Sequence, residues 1–356
     1  MFVYPYVLIN SILSKVKHII SLVLICSIIL LGCNGEPNVE DFEGQLAKAK
    51  HEMPLNPKGC KSERDNLNET ICDGARAILA SRYASLEDLK RHVDIQYFDS
   101  QLNPAGEVSS QAKVLLTYAD NGFEVESELK SGVSQGDIIK VRDGTFSDRV
   151  NLVFTSPYAV SNRVDLNKIY KLSRRRPALF GEGDVAFYDL ALTAVTHINT
   201  IELAYRSPAD SSEKGYTNTF NHITAQAFIT SIYSKQMADF IADLHERNNM
   251  AELITGDFSE DQLINVDNNP VDNYVDLINN ELGQTIGLKL KRKYNIGRNT
   301  NWTAELLTNY LNDIQTFYCW SFNIGMRPFR IDDELIIRFV YKINRISIKA
   351  LPYHDN

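Results

Sequence analysis

Basic residues are in short supply in this chain. Lys and Arg number 37 against 45 Asp and Glu, a formal charge of −8. A net acidic chain repels phosphate backbones, which argues against a general nucleic-acid partner. Arg174-Arg175-Arg176 is a local exception, and before Pro177 it reads as a solvated helix end. Long apolar runs are also missing. The run from Ile19 to Leu31 stops at about 13 residues, short of the roughly 20 that a membrane-spanning helix needs. The zinc-protease spacing H-E-x-x-H is absent, because Asn249 stands where the second histidine after His245-Glu246 would be. A phosphate loop is absent too: Gly181-Glu182-Gly183-Asp184 lacks a glycine-rich continuation and a lysine. Cysteine is scarce, with five in 356 residues.

What is present begins at the N-terminus. Lys15 and Lys17 precede the apolar run, which ends in Leu30-Leu31-Gly32-Cys33. A charged region, a short apolar region and a small residue before the cut describe a secretory leader. Leu-Leu-Gly-Cys resembles the lipobox of bacterial lipoproteins. That resemblance implies a signal peptide over 1–32, cleavage before Cys33, acylation of Cys33 and membrane attachment through it. With Asn34 next, it further implies an outer-membrane lipid anchor on the periplasmic side. Protein partners cannot be read from the chain. In an oxidising compartment Cys60 and Cys72 can pair. Cys319, among Phe317, Tyr318 and Trp320, reads as a buried free thiol.

Residues 33–58, polar and carrying Pro37, Pro54 and Pro57, read as a tether. The rest predicts an α+β protein: a small mixed α/β module over 59–160 and a mostly helical domain over 165–350. In the module, Asn66 to Tyr83 has helical spacing, and Ser85-Leu86-Glu87-Asp88 opens a capped helix. Lys113–Tyr118 and Phe123–Glu126 flank Asp120-Asn121-Gly122 as a hairpin. Ile138–Val141 and Val150–Phe154 read as further strands. In the helical domain, periodicity predicts helices over Asp184–Tyr205, Thr219–Tyr233, Lys235–Asn248, Asp272–Tyr294 and Thr303–Tyr318. Asp333–Ile346 reads as helix or strand.

Polar groups on apolar helix faces are the candidate chemistry. His222 and Gln226 share a face with Ala225, Ile229 and Ile232. His245 closes the stripe Ala238, Ile241, Ala242, with Glu246 at its edge. Asp276, Asn279 or Asn280, Gly283 and Gly287 form a third line. Asparagine and glycine both cost helix propensity, and glycine allows close backbone approach. The three helices are therefore expected to pack around one polar cluster that the asparagines serve.

Asn218-x-Phe220-Asn221-His222, Asp243-Leu244-His245-Glu246 and Asp276-Leu277-Ile278-Asn279-Asn280-x-x-Gly283 resemble an uncharacterised bacterial helical domain family. Its pattern runs N-A-F-R-H, A-H-E, D-L-x-N-N-x-x-G. The resemblance covers about residues 185 to 295. It departs at Asn221, where Arg is commoner, and at Asp243-Leu244. It implies a shared cluster without naming its chemistry. Two readings stay open. In one, the cluster is a structural hydrogen-bond network in a binding or envelope-interaction lipoprotein. In the other, the chain is a hydrolase acting on an envelope lipid or peptidoglycan component. There His222, His245 and Asp276 would hold a divalent metal such as zinc, and Glu246 would act as general base. A metal-free version would use His245 or His222 as base with Asn279 or Asn280 as oxyanion donor. His92 and His197 read as structural or exposed.

Overall fold

The computed structural model describes residues 71–348, apart from 103, 105, 107, 144 and 265–269. The expected leader, Cys33, the tether and Cys60 lie outside the described residues. Cys72 is engaged in a disulfide. Cys319 is a free thiol that burial pushes up to about 11, which makes it inert as a nucleophile at neutral pH.

An antiparallel sheet comes first. Strands β1 (Val93–Phe98), β4 (Lys113–Asp120) and β5 (Phe123–Lys130) lie in the order β1-β4-β5. Between β1 and β4, the short β2 (Gln101–Leu102) and β3 (Val108–Ser110) form a ribbon. The β4–β5 turn is the expected one. Asn121 and Gly122 both take positive φ, 54° and 80°, as a two-residue hairpin turn requires, and Asp120 pairs with Phe123. Alternation along β4 puts Val114, Leu116 and Tyr118 inside.

Two expected strands are helices instead. Residues 138–141 lie in α1 (Gln135–Asp143), and residues 150–154 lie in α2 (Phe146–Thr155). Each has a reciprocal cap that outweighs its β-branched residues. Ser134 N donates to Asp137 Oδ2 at 3.0 Å and Asp137 N donates back to Ser134 Oγ at 3.2 Å. Thr145 and Asp148 do the same for α2. The helix expected from Asn66 to Tyr83 is not found over its described part. Residues 75–79 are extended, and only Ala80–Arg82 makes a helical turn. Ala75, Ala77, Ile78, Leu79 and Ala80 are all buried and only Arg76 reaches solvent, so this stretch is mostly enclosed rather than amphipathic. Ser85 caps Leu86–Leu89 as expected, its side chain accepting from Asp88 N.

Helices dominate thereafter: α3 (Arg163–Ser173), α4 (Phe187–Thr196), α5 (Asn218–Ile232), α6 (Lys235–Asn249), α7 (Pro270–Tyr294), α8 (Ala304–Phe322) and α9 (Glu334–Ile348). The helix expected over Asp184–Tyr205 breaks after α4, where Ile198 bridges to Met326. The last segment, read as helix or strand, is α9. Sheet and helices share one core. Leu89, Val93, Leu116 and Leu129 pack into the same cluster as Tyr274, Ile278 and Leu282 of α7.

Helix α7 is buried along most of its length and around most of its circumference, as a central helix must be. Its glycines set the distance to α5. A Cβ on Gly283 would stand 2.8 Å from Ile223 O, and one on Gly287 2.6 Å from Ala227 O. The contact between the two helices is therefore backbone to backbone, and both positions must lack a side chain. At the other end of the core, α9 is anchored by Lys342. Its ammonium donates to Asp184 Oδ2 at 2.8 Å, Arg174 O at 2.7 Å and Val185 O at 2.7 Å, with no exposed side-chain surface. The Arg174–Arg176 run belongs to this joint, with Arg175 paired to Asp189 and Arg176 N donating to Asp184.

Candidate functional site

Helices α5, α6 and α7 bring the singled-out residues together on one line of polar contacts. Ser234 starts α6 by accepting from Met237 N, and that start sets which residues turn toward α7. At the inner end, Glu246 is fully buried. Its Oε1 accepts from Asn280 Nδ2 at 3.1 Å and lies 3.9 Å from His222 Nδ1. Asn280 Oδ1 lies 2.9 Å from His222 Nδ1. The other ring nitrogen, Nε2, lies 3.2 Å from Asp276 Oδ2. Asn218 Nδ2 closes the line, 3.0 Å from Asp276 Oδ1 and 3.2 Å from Asp272 Oδ1.

Sequence spacing placed His245 on the buried face and Glu246 at its edge. The structure reverses them. Glu246 is sealed inside, and His245 is exposed at the rim, its ring 5.8 Å from that of His222 and its Nδ1 3.4 Å from Gln135 Oε1. Adjacent residues on a helix differ by about 100°, so a modest rotation of α6 about its axis exchanges their roles. Asp276 and Glu246 likewise sit differently from the expected arrangement. One donor atom each from His222, His245 and Glu246 lies within 4.8 Å of the others. Asp276 instead meets His222 at its opposite nitrogen. The asparagines divide. Asn280 is in the line, whereas Asn279 faces away from it and holds the extended segment. Its Oδ1 accepts from Ile78 N at 3.2 Å and its Nδ2 donates to Ile78 O at 2.9 Å. Gln226 is also outside the line, bonded to Gln284 at 3.3 Å.

The electrostatics follow from burial. Desolvation, reinforced by the Asp276 charge, pushes the Glu246 carboxyl well above the ordinary range. Desolvation likewise raises Asp276 to about 7, against the Asn218 bond and Lys214, which favour its ionised form. Asp272 rises to about 7 through desolvation and then the Asp276 charge. Burial lowers His222 against the pull of Asn280 and Asp272. His245 is lowered by crowding protein and then by His222. Three acids thus share a small space with an imidazole that resists a second proton. The two orientations of the Asn280 amide correspond to two proton arrangements: one donates to an ionised Glu246, and the other accepts from a protonated one.

One atom does not fit a closed network. Glu246 Oε2 is buried and has no hydrogen-bond partner. Buried polar atoms are nearly always paired, and an orphan costs about 1–3 kcal/mol. The nitrogen and oxygen donors suit zinc or a similar divalent ion. Ligands at zinc bond lengths stand about 3.4 Å apart in a tetrahedron. The three donors therefore need to close by about an ångström, and His245 at the rim is placed to supply that movement.

Among the described residues, the two other histidines are structural or exposed, as the sequence suggests. His197 is buried, bonded to Gln315 at 2.9 Å and pushed down to about 3 by desolvation. His92 is exposed beside Tyr83. Sequence reasoning missed Asn218 and Asp272 as members of the line, although each lies one helical turn before a recognised one. No helix among the described residues is long and apolar enough to cross a membrane. No known protein family, characterised protein or solved structure matches this chain.

Proposed function

We propose that this chain is a cell-envelope lipoprotein whose helical core binds a divalent metal and hydrolyses an envelope lipid or peptidoglycan component. The observation that carries the reading is the orphaned, fully buried Glu246 Oε2 beside two more acids. Other buried polar atoms of the fold, such as Thr230 Oγ1 and Thr308 Oγ1, also lack a partner, and what sets Glu246 Oε2 apart is that it belongs to an acid with two histidines close by. His222, His245 and Glu246 would hold the ion. When bound, the ion supplies Lewis acidity and an activated water. Asp276 would fix the His222 ring by accepting a hydrogen bond from its Nε2–H, the carboxylate-to-histidine support common around metal ligands. Asn280 orients Glu246 and His222 together. His245, at the rim, marks the side from which a substrate would approach. The leader and its Cys33 supply the anchoring half of the reading.

A second reading, a binding lipoprotein with a structural cluster, is favoured by the pairing of Asn218, Asp276, His222 and Asn280 with one another. Elemental mass spectrometry of the mature, untagged protein decides between them. Near-stoichiometric zinc or another transition metal that disappears in His245→Ala is the expected result. His245 is exposed, so that variant should fold. A chain that stays empty after incubation with zinc, and whose melting temperature ignores a chelator, would overturn the metal reading.

A further inference from the structure

A cleft of about 1070 Å³ opens away from the helix cluster and shares none of the cluster's residues. The extended segment around Ile78 forms part of its wall, and the C-terminal turns of α8 around Trp320 form another. Its charge runs against that of the chain. Arg76, Arg82 and Arg206 line it and no carboxylate among the described residues does, in a protein with a net charge of −8. Two acids stand close behind the lining: Asp120 Oδ2 accepts from Arg76 N at 2.9 Å, and Asp210 braces the wall. Asp210 is only 1% exposed. It accepts from Ser81 Oγ at 2.6 Å, Arg206 N at 2.8 Å and Ser207 N at 2.9 Å, and it pairs with Arg82 Nε at 3.1 Å. One buried carboxylate thus pins two arginine-bearing segments side by side and neutralises Arg82. The exposed Arg76 and Arg206 leave the cleft net positive. The Arg76 guanidinium lies 5.4 Å from the centroid of the Trp320 ring, which holds a flat cation against a flat apolar surface.

We infer that this cleft binds a flat-faced organic oxyanion: a sugar or aromatic ring carrying a phosphate or carboxylate. The oxyanion would meet Arg76 and Arg206, and the flat face would lie against the stacked Arg76–Trp320 pair. Arginine's planar fork suits both anions. The volume is at the upper end for small-molecule sites, room enough for a nucleotide or a disaccharide. The inference does not depend on the metal reading, and His245→Ala should leave it untouched.

Isothermal titration of the folded wild-type protein with adenosine monophosphate and with glucuronate, each against its neutral counterpart adenosine or glucose, tests it. The expected result is saturable binding of at least one anion, about tenfold tighter than its neutral counterpart and weakened by added salt. A response to the nucleotide alone assigns the phosphate form, and a response to glucuronate alone assigns the carboxylate form. Arg76→Gln and Arg206→Gln alter exposed residues and should each cost about tenfold in affinity. The chain has two tryptophans, and Trp302 is buried while Trp320 faces the cleft, so ligand-induced quenching should report Trp320. Anions that bind no better than their neutral counterparts, or affinities unchanged in both arginine variants, would overturn the inference.

Discussion

Two carboxylates in this fold are equally hidden and differently treated. Asp184, with 2% of its side chain exposed, is met by Lys342, and the lysine's three protons are all used. Glu246, with 1% exposed, is met by one amide and by the charges of other acids. The chain can therefore supply a buried counter-ion where the task is to hold α9 in place. At Glu246 it supplies none within hydrogen-bonding distance. The difference is that one buried carboxylate is neutralised by a fixed side chain, whereas the other is left to be neutralised by a proton, or by the cation proposed above.

The largest effect should come from breaking the satisfied site. Lys342→Met leaves Asp184 buried without its cation and should cost about 3–5 kcal/mol in urea unfolding. A loss below about 1 kcal/mol would mean that the pair does not anchor α9. The next effect is a slope. Asp276 is raised to about 7 in the fold, so between its ordinary value and 7 the folded chain holds a proton that the unfolded chain releases. Its contribution to stability is complete at low pH and is lost as pH rises through that window. Asp272 acts in the same direction, while the lowered His222 and His245 act oppositely. Wild type should therefore be compared with Asp276→Asn rather than read alone. The variant should gain on wild type from about pH 4 to 7, by at most about 1.4 kcal/mol per pH unit. Parallel stability curves would rule out the raised carboxyl. The smallest effect on stability should be Glu246→Gln in metal-free protein, within about 1 kcal/mol of wild type, together with loss of metal uptake. A penalty as large as that of Lys342→Met would make Glu246 a packing device after all.

Much of the helical half was legible because its signals are local. The two glycines of α7 announced a close approach to a neighbour, and α5 makes it. Asp276 and Asn280, four residues apart on α7, share a face and meet His222 of α5 as spacing suggests. What failed was what depends on partners far along the chain. Asn279 binds Ile78, 201 residues away, and nothing in the local pattern distinguishes it from Asn280. The swap of His245 and Glu246 turns on the axial rotation of α6, which apolar periodicity fixes only loosely. The strands expected near 138 and 150 were misread because β-branched residues drew attention from the caps at Ser134 and Thr145. Those signals were present and local. The run 75–80 carries the opposite lesson: helical spacing means little when all but one of its residues, Arg76, are buried.

The grip of Asn279 on Ile78 has a mechanical consequence. Load applied through the chain on the N-terminal side of Ile71 enters the described fold along the extended segment 75–79. The paired Asn279 bonds transmit that load to α7, one residue from Asn280. If Cys33 is the anchor, tension between membrane and domain would be felt first at the helix that carries the polar line. A pulling experiment from that end should yield the Ile78–Asn279 contact before it disturbs α9.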